Sequence, residues 1–149
     1  MGLRTILTDK ESALHKVCKP VTSFDQKLHK LLDDMTDTLI DSGGVGLAAP
    51  QIGVLRRVVV IECEPGNVLE LINPVIVEKS GKQHELEGCL SVPGKWGITA
   101  RPARVTAKYT DRNGKEYELN GTDLLARAIC HECDHLDGKL YSDFETESF

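Results

Sequence analysis

No stretch of this 149-residue chain approaches the ~20 consecutive apolar residues of a membrane-spanning helix. A helical membrane protein is therefore not expected. The first residues, Met1-Gly2-Leu3-Arg4-Thr5-Ile6, lack the apolar core of a secretory leader. Ile6 also stands where N-myristoylation requires Ser or Thr. There is no internal repeat, low-complexity tract or Gly/Ser linker, so residues 1–149 read as one domain. Positive charge is in the minority: 18 Lys and Arg against 23 Asp and Glu give a net charge of −5. That argues against extended, sequence-independent binding to nucleic acid. An even complement of cysteines is missing too. The five thiols, Cys18, Cys63, Cys89, Cys130 and Cys133, read as reduced groups of a cytoplasmic protein. Metal ligation or catalysis is expected of them before disulfides.

What is present suits a soluble globular domain: 40% hydrophobic and 28% charged residues, with length enough for one core. A short helical turn is expected within residues 9–16, ended by Lys19-Pro20. A longer helix should begin at Ser23, where Ser23 and Gln26 match a capping box. Leu28, Leu31, Leu32, Met35 and Leu39 form its apolar stripe, and Asp41-Ser42-Gly43-Gly44 breaks it. Strands are expected over Arg57 to Cys63 and Leu69 to Glu78. Two more, Arg104 to Asp111 and Lys115 to Leu119, flank Asn113-Gly114, which signals a type I′ hairpin. Thr122 or Asp123 caps a final helix that stops at Gly138. The expected fold is α+β: mostly antiparallel sheets packed around the C-terminal helix, with a helix toward the N-terminus.

That final helix carries His131-Glu132-Cys133-Asp134-His135. At 3.6 residues per turn His131 and His135 share one face, and two imidazoles so spaced can hold a divalent metal. Glu132 stands at the edge of that face, where a carboxylate can reach a metal-activated water and move its proton. By itself the pentad leaves open an ordinary polar surface helix. A working site needs a third protein ligand and an open position. Cys89, in the Gly-containing passage Glu87-Gly88-Cys89-Leu90-Ser91 between strands, is the best candidate. Cys133 points to about the opposite helix face and Cys130 lies a quarter-turn off, so both read as small buried hydrophobes. A third passage, Gly44-Val45-Gly46-Leu47-Ala48-Ala49-Pro50-Gln51, has two glycines that leave a bare backbone edge. An extended peptide can add to such an edge as a strand.

With these three motifs in order, the chain resembles the peptide deformylases. The resemblance runs from about residue 4 to about residue 143. It implies a metal-dependent hydrolase that removes the formyl group from the N-terminal formyl-methionine of new polypeptides and releases formate. Cys89, His131 and His135 would hold the metal, and Glu132 would be the acid/base. Gln51 and the backbone N–H of Leu90 would stabilise the oxyanion formed when metal hydroxide attacks the formyl carbonyl. Gly44, Val45, Gly46 and Gly88 would bind substrate. The ligand types alone fit Zn²⁺ or Fe²⁺; the resemblance implies Fe²⁺ as the native ion, with Zn²⁺, Ni²⁺ or Co²⁺ as substitutes. Glu87 and Arg101 read as a pair that anchors the cysteine loop.

The chain departs from the family pattern at Cys130, where Gln is usual. It departs again near Trp96, where a rim Arg is common, so preference at the second substrate residue is expected to differ. Some relatives dock on the ribosome through a basic C-terminal helix; the acidic stretch Asp143-Phe144-Glu145-Thr146-Glu147-Ser148-Phe149 does not suit that contact. Two other readings stay open at this point: a small zinc peptidase, and a silent relative with a structural metal.

Overall fold

The computed structural model describes residues 2–141 and 145–148. A short 3-10 turn, Ser12–His15, precedes helix α1 (Gln26–Ser42) and strand β1 (Gly46–Ala48). A second 3-10 turn, Ala49–Ile52, leads into β2 (Val58–Glu64), β3 (Asn67–Ser80), β4 (Gln83–Cys89) and β5 (Val92–Arg101). Then come β6 (Arg104–Thr110), β7 (Glu116–Thr122), helix α2 (Asp123–Leu136) and β8 (Glu145–Ser148). The five-stranded sheet has the order β1-β2-β3-β6-β7 and the three-stranded sheet the order β4-β5-β8. All these strand pairs are antiparallel, as expected of an α+β chain.

The run Val58-Val59-Val60-Ile61 explains how the layers assemble. Successive strand residues face opposite sides of a sheet. Val58 and Val60 join the cluster built on the α1 stripe of Leu28, Leu31, Leu32, Met35 and Leu39. Val59 and Ile61 join a second cluster with Ala126, Ile129, Cys133 and Leu136 of α2. Both faces of β2 are covered by a helix, so its sequence is continuously apolar rather than alternating. Helix α2 also meets β5, which places it between the two sheets. Its buried face therefore includes polar groups: Arg127, His131, Glu132 and His135.

Three local expectations are corrected. Helix α1 is capped by Asp25, whose side chain accepts from the Leu28 N–H, not by a Ser23–Gln26 box. A carboxylate two residues further on meets the first turn's N–H groups and their positive end directly. The β6–β7 connection is not type I′. Only Gly114 there has positive φ, at 85°, whereas a type I′ turn needs it at both central residues. The Asp111 carboxylate instead accepts from the N–H groups of Asn113 and Lys115, and this favours an ordinary turn closed by a left-handed glycine. Cys89 is not in a loop between strands; it is the last residue of β4, beside a register shift between Glu87 and Cys89. Thr122 occupies the cap position of α2, but its side chain makes no capping bond.

Among the described residues no helix is long and apolar enough to cross a membrane. Of the acidic C-terminal stretch, Asp143, Phe144 and Phe149 lie outside the described residues, while Glu145–Ser148 adds β8 to the edge of β5.

Candidate active site

Three chain segments converge between the sheets. The end of β4 brings Cys89, and one face of α2 brings His131 and His135. Their ligand atoms all lie within 4.8 Å of one another. Cys89 Sγ is 3.3 Å from His135 Nε2, which is 3.2 Å from His131 Nε2. Ligand bonds of about 2.0–2.3 Å at tetrahedral angles place donor atoms about 3.3–3.8 Å apart. The trio therefore suits a single divalent ion with a fourth position to spare.

The surroundings suit a cation as well. Burial opposes protonation of His131, but Glu132, Cys89 and Glu87 around it outweigh burial and hold its proton affinity well above the ordinary imidazole range. The same negative groups favour a metal ion in the proton's place. Burial, and then the nearby His131, keep His135 well below the ordinary range and hence neutral, as a ligand must be. Glu87 Oε2 lies 2.5 Å from His131 Nδ1. The carboxylate accepts a hydrogen bond from that ring N–H, which turns the Nε2 lone pair toward Cys89 and His135. Glu87 is held ionised: burial works to raise its carboxyl, but hydrogen bonds and charges from His131 and Arg101 bring it well below the usual range.

Arg101 pairs with Glu87 at 2.7 Å and reaches Asp134 at 2.5 Å. Glu87 and Arg101 are both buried, so the expected pair exists and is not two solvated charges. Arg127 joins the same cluster, a residue that sequence reasoning missed. Its position four residues before His131, on the same helix face, was the available signal.

Glu132 lies next to this trio, with Oε2 4.0 Å from His131 Nε2. Burial pushes its carboxyl up to about 7, a value suited to taking and returning a proton near neutrality. Among the described residues its other oxygen, Oε1, is buried without a hydrogen-bond partner, as is His135 Nδ1. A Cβ on Gly46 would stand 2.6 Å from Glu132 Oε2, so the edge strand passes this carboxylate with no room for a side chain.

A cavity of about 480 Å³ opens over the site. Gly44, Val45 and Gly46 line one side, and Gly88, Cys89 and Leu90 another, with His131 and Glu132 at the helix. Trp96, Leu86 and Leu124 supply apolar surface and remain largely exposed. The Trp96 ring packs against Gly88, 2.6 Å from where a Cβ would sit. β1 is an edge strand. The carbonyl of Val45 accepts from Glu62 N–H of β2, so by alternation the N–H and C=O of Gly46 face outward, available to an added strand.

Gln51 and His135 do not line the cavity. Gln51 is buried behind Cys89. Its Oε1 accepts from Ala48 N–H, and its Nε2 donates to Ser91 Oγ at 3.1 Å and toward Cys89 Sγ at 3.7 Å. Cys130 and Cys133 sit in the α2 core cluster; burial pushes the Cys133 thiol up to about 12 and leaves it inert.

Known proteins match this combination of fold and site. The family model described as Polypeptide deformylase matches residues 3–147. A peptide deformylase of Alkaliphilus metalliredigens is 50% identical over 143 residues, covering 96% of this chain and 97% of its own. One from Caldicellulosiruptor bescii is 52% identical over 143 residues, covering 96% and 86%. Among solved structures, a peptide deformylase from Legionella pneumophila superposes with a TM-score of 0.94 at 44% identity, covering 97% of this chain and 86% of that one. The enzyme from Thermotoga maritima gives 0.94 at 35% identity, covering 97% and 98%. The family model spans nearly the whole sequence and the relatives agree with it in sequence and in fold: the chain belongs to the polypeptide deformylase family.

Proposed function

We propose that this chain, acting as a single catalytic domain over residues 1–149, removes the formyl group from N-terminal formyl-methionine of newly made polypeptides. The products are formate and a free α-amino group. The observation that carries this reading is the Cys89 sulfur and two imidazoles converging beside a buried carboxylate oxygen that is unpartnered among the described residues, under a cavity bounded by a free strand edge. Family membership supports it.

Cys89, His131 and His135 would hold one divalent ion. When bound, that ion supplies Lewis acidity and a hydroxide source at neutral pH. Glu132 takes the proton of the attacking water and delivers it to the departing amine. Gln51 Nε2, which lies 3.7 Å from Cys89 Sγ, and the Leu90 N–H would donate to the oxygen of the formyl group as it gains charge. The outward N–H and C=O of Gly46, with Gly44 beside it, pair with the backbone of the extended substrate. Val45, Gly88 and Leu90 frame the space for the methionine side chain. Fe²⁺ is the proposed native ion, with Zn²⁺, Ni²⁺ or Co²⁺ able to replace it. The proposed setting is the cytoplasm. The proposed partner is the nascent chain itself; Glu145–Ser148 pairs as a strand with β5.

The test is an anaerobically prepared, iron-loaded sample given formyl-Met-Ala-Ser and, separately, an unformylated peptide with internal bonds only. Formate release from the first and no cleavage of the second is expected. Cleavage of internal bonds would favour a peptidase, and inertness toward both would sink the reading.

A further inference from the structure

The two parts of the metal site come from different elements, and something must register them. Cys89 ends β4, whereas His131 and His135 belong to α2. Arg127 lies one helical turn before His131 with its side chain buried at 6% exposure. Every arm of its guanidinium is engaged. Nε donates to Gln83 Oε1 at 3.2 Å, Nη1 to Glu87 Oε1 at 2.7 Å and to Thr99 Oγ1, and Nη2 to the Thr99 carbonyl at 3.2 Å. Gln83 and Glu87 are on β4 and Thr99 is on β5, so one helix side chain grips three positions of the hairpin that carries Cys89 beside its turn.

Glu87 is the shared element of this grip. Its Oε1 accepts from Thr99, Arg101 and Arg127, and its Oε2 from Arg101 and His131 Nδ1. Residues 127 and 131, four apart on one helix face, thus hold opposite oxygens of the same carboxylate. We propose that Arg127 is a positioning residue for the metal site. By clamping Glu87 and Thr99 it sets the strand bearing Cys89 against the helix bearing the histidines, and it fixes the carboxylate that orients the His131 ring. A lysine cannot do this. Its single ammonium lacks the planar fork that reaches Gln83, Glu87 and Thr99 together. Two opposing guanidinium groups, from Arg101 and Arg127, keep the Glu87 carboxylate from rotating away from His131. Loss of Arg127 leaves Oε1 with Thr99 and Arg101 as donors but removes the bond that ties this carboxylate to the turn of α2 before His131.

This inference rests on Cys89, His131 and His135 being the ligands, and the experiment separates the two. Cobalt(II) is titrated into metal-free protein against a chelator, recording affinity and the visible and thiolate-to-cobalt absorption, and the metal-free melting temperature is measured alongside. Wild type should bind one ion with a thiolate band. Arg127→Met should bind about 10- to 100-fold more weakly with shifted bands, and Arg127→Lys should fall between. A variant that melts lower yet keeps wild-type cobalt affinity and spectrum would overturn the positioning role and leave the ligand set standing. Wild type that binds no cobalt with a thiolate band would overturn both. If Arg127→Met does not fold, Thr99→Val serves, since it removes the hydroxyl between Arg127 and Glu87 at nearly constant volume. Weaker binding with an altered spectrum then supports the proposal, and unchanged binding defeats it.

Discussion

A methyl group on Gly46 would stand 2.6 Å from Glu132 Oε2 and 2.9 Å from the carbons behind it. Gly46→Ala must therefore displace the carboxylate, or the edge strand, by a substantial fraction of an ångström. Such misplacement of a proton-transfer group costs on the order of 100-fold in rate. The expected result is a large fall in kcat with metal content intact, read from steady-state kinetics and elemental analysis of one preparation. The roles of Glu132 and Cys89 separate in the same way. Glu132→Gln should retain the metal and lose about 10²- to 10⁴-fold in turnover, whereas Cys89→Ala should lose the metal itself. Equal metal loss in both would show the roles to be wrongly divided. The meeting of His131 and His135 was legible in the sequence because helical spacing alone puts them together. The engagement of Arg127 was not, because an arginine on a helix carries no mark of whether its face meets solvent or a buried carboxylate.

At the scale of elements, sequence pattern located α1 by its apolar stripe, α2 by its end signals, β2 by its valine run, β3 by the apolar residues around Asn73-Pro74, and β6 and β7 by the turn residues between them. It did not locate β1, whose three residues are too few to show a period. Nor did it show that the Glu87-Gly88-Cys89 passage is a strand. That passage is rich in glycine and charge, and β4 exists because β5 and β8 complete its sheet rather than through its own propensity. The start of α1 was misplaced because two acceptors, Ser23 and Asp25, compete within three residues and only backbone geometry decides between them. Asp25→Ala should cost about 1 kcal/mol, measured by urea unfolding, while Ser23→Ala should cost a few tenths at most. The reverse order would return the cap to Ser23.

For the molecule as a whole, the segment before α1 is tied down by Asp34. Its carboxylate pairs with Arg4 at 2.7 Å and Lys30 at 3.3 Å, and the Arg4 hydrogen bond is the main cause of its lowered pKa. The unfolded chain therefore takes up this proton at a higher pH than the folded one. The stabilisation is complete above the ordinary carboxyl range and is lost as pH falls through the lower folded value. Asp34→Asn should be less stable than wild type by about 1 kcal/mol at pH 7, and the gap should close below about pH 4. A gap that widens on acidification would contradict the assignment. A different consequence follows from the origin of the ligands. Cys89 and His135 are 46 residues apart in sequence, so an ion bound to both is a removable cross-link that closes a long loop between a sheet and a helix. Because such an ion binds the folded chain far better than the unfolded one, resistance to heat becomes a function of free metal concentration. At a thousand times the dissociation constant the ion adds about 4 kcal/mol. Chelation should therefore lower the melting temperature of the wild type and leave that of Cys89→Ala unmoved, making thermal denaturation a direct gauge of how much of the protein carries its metal.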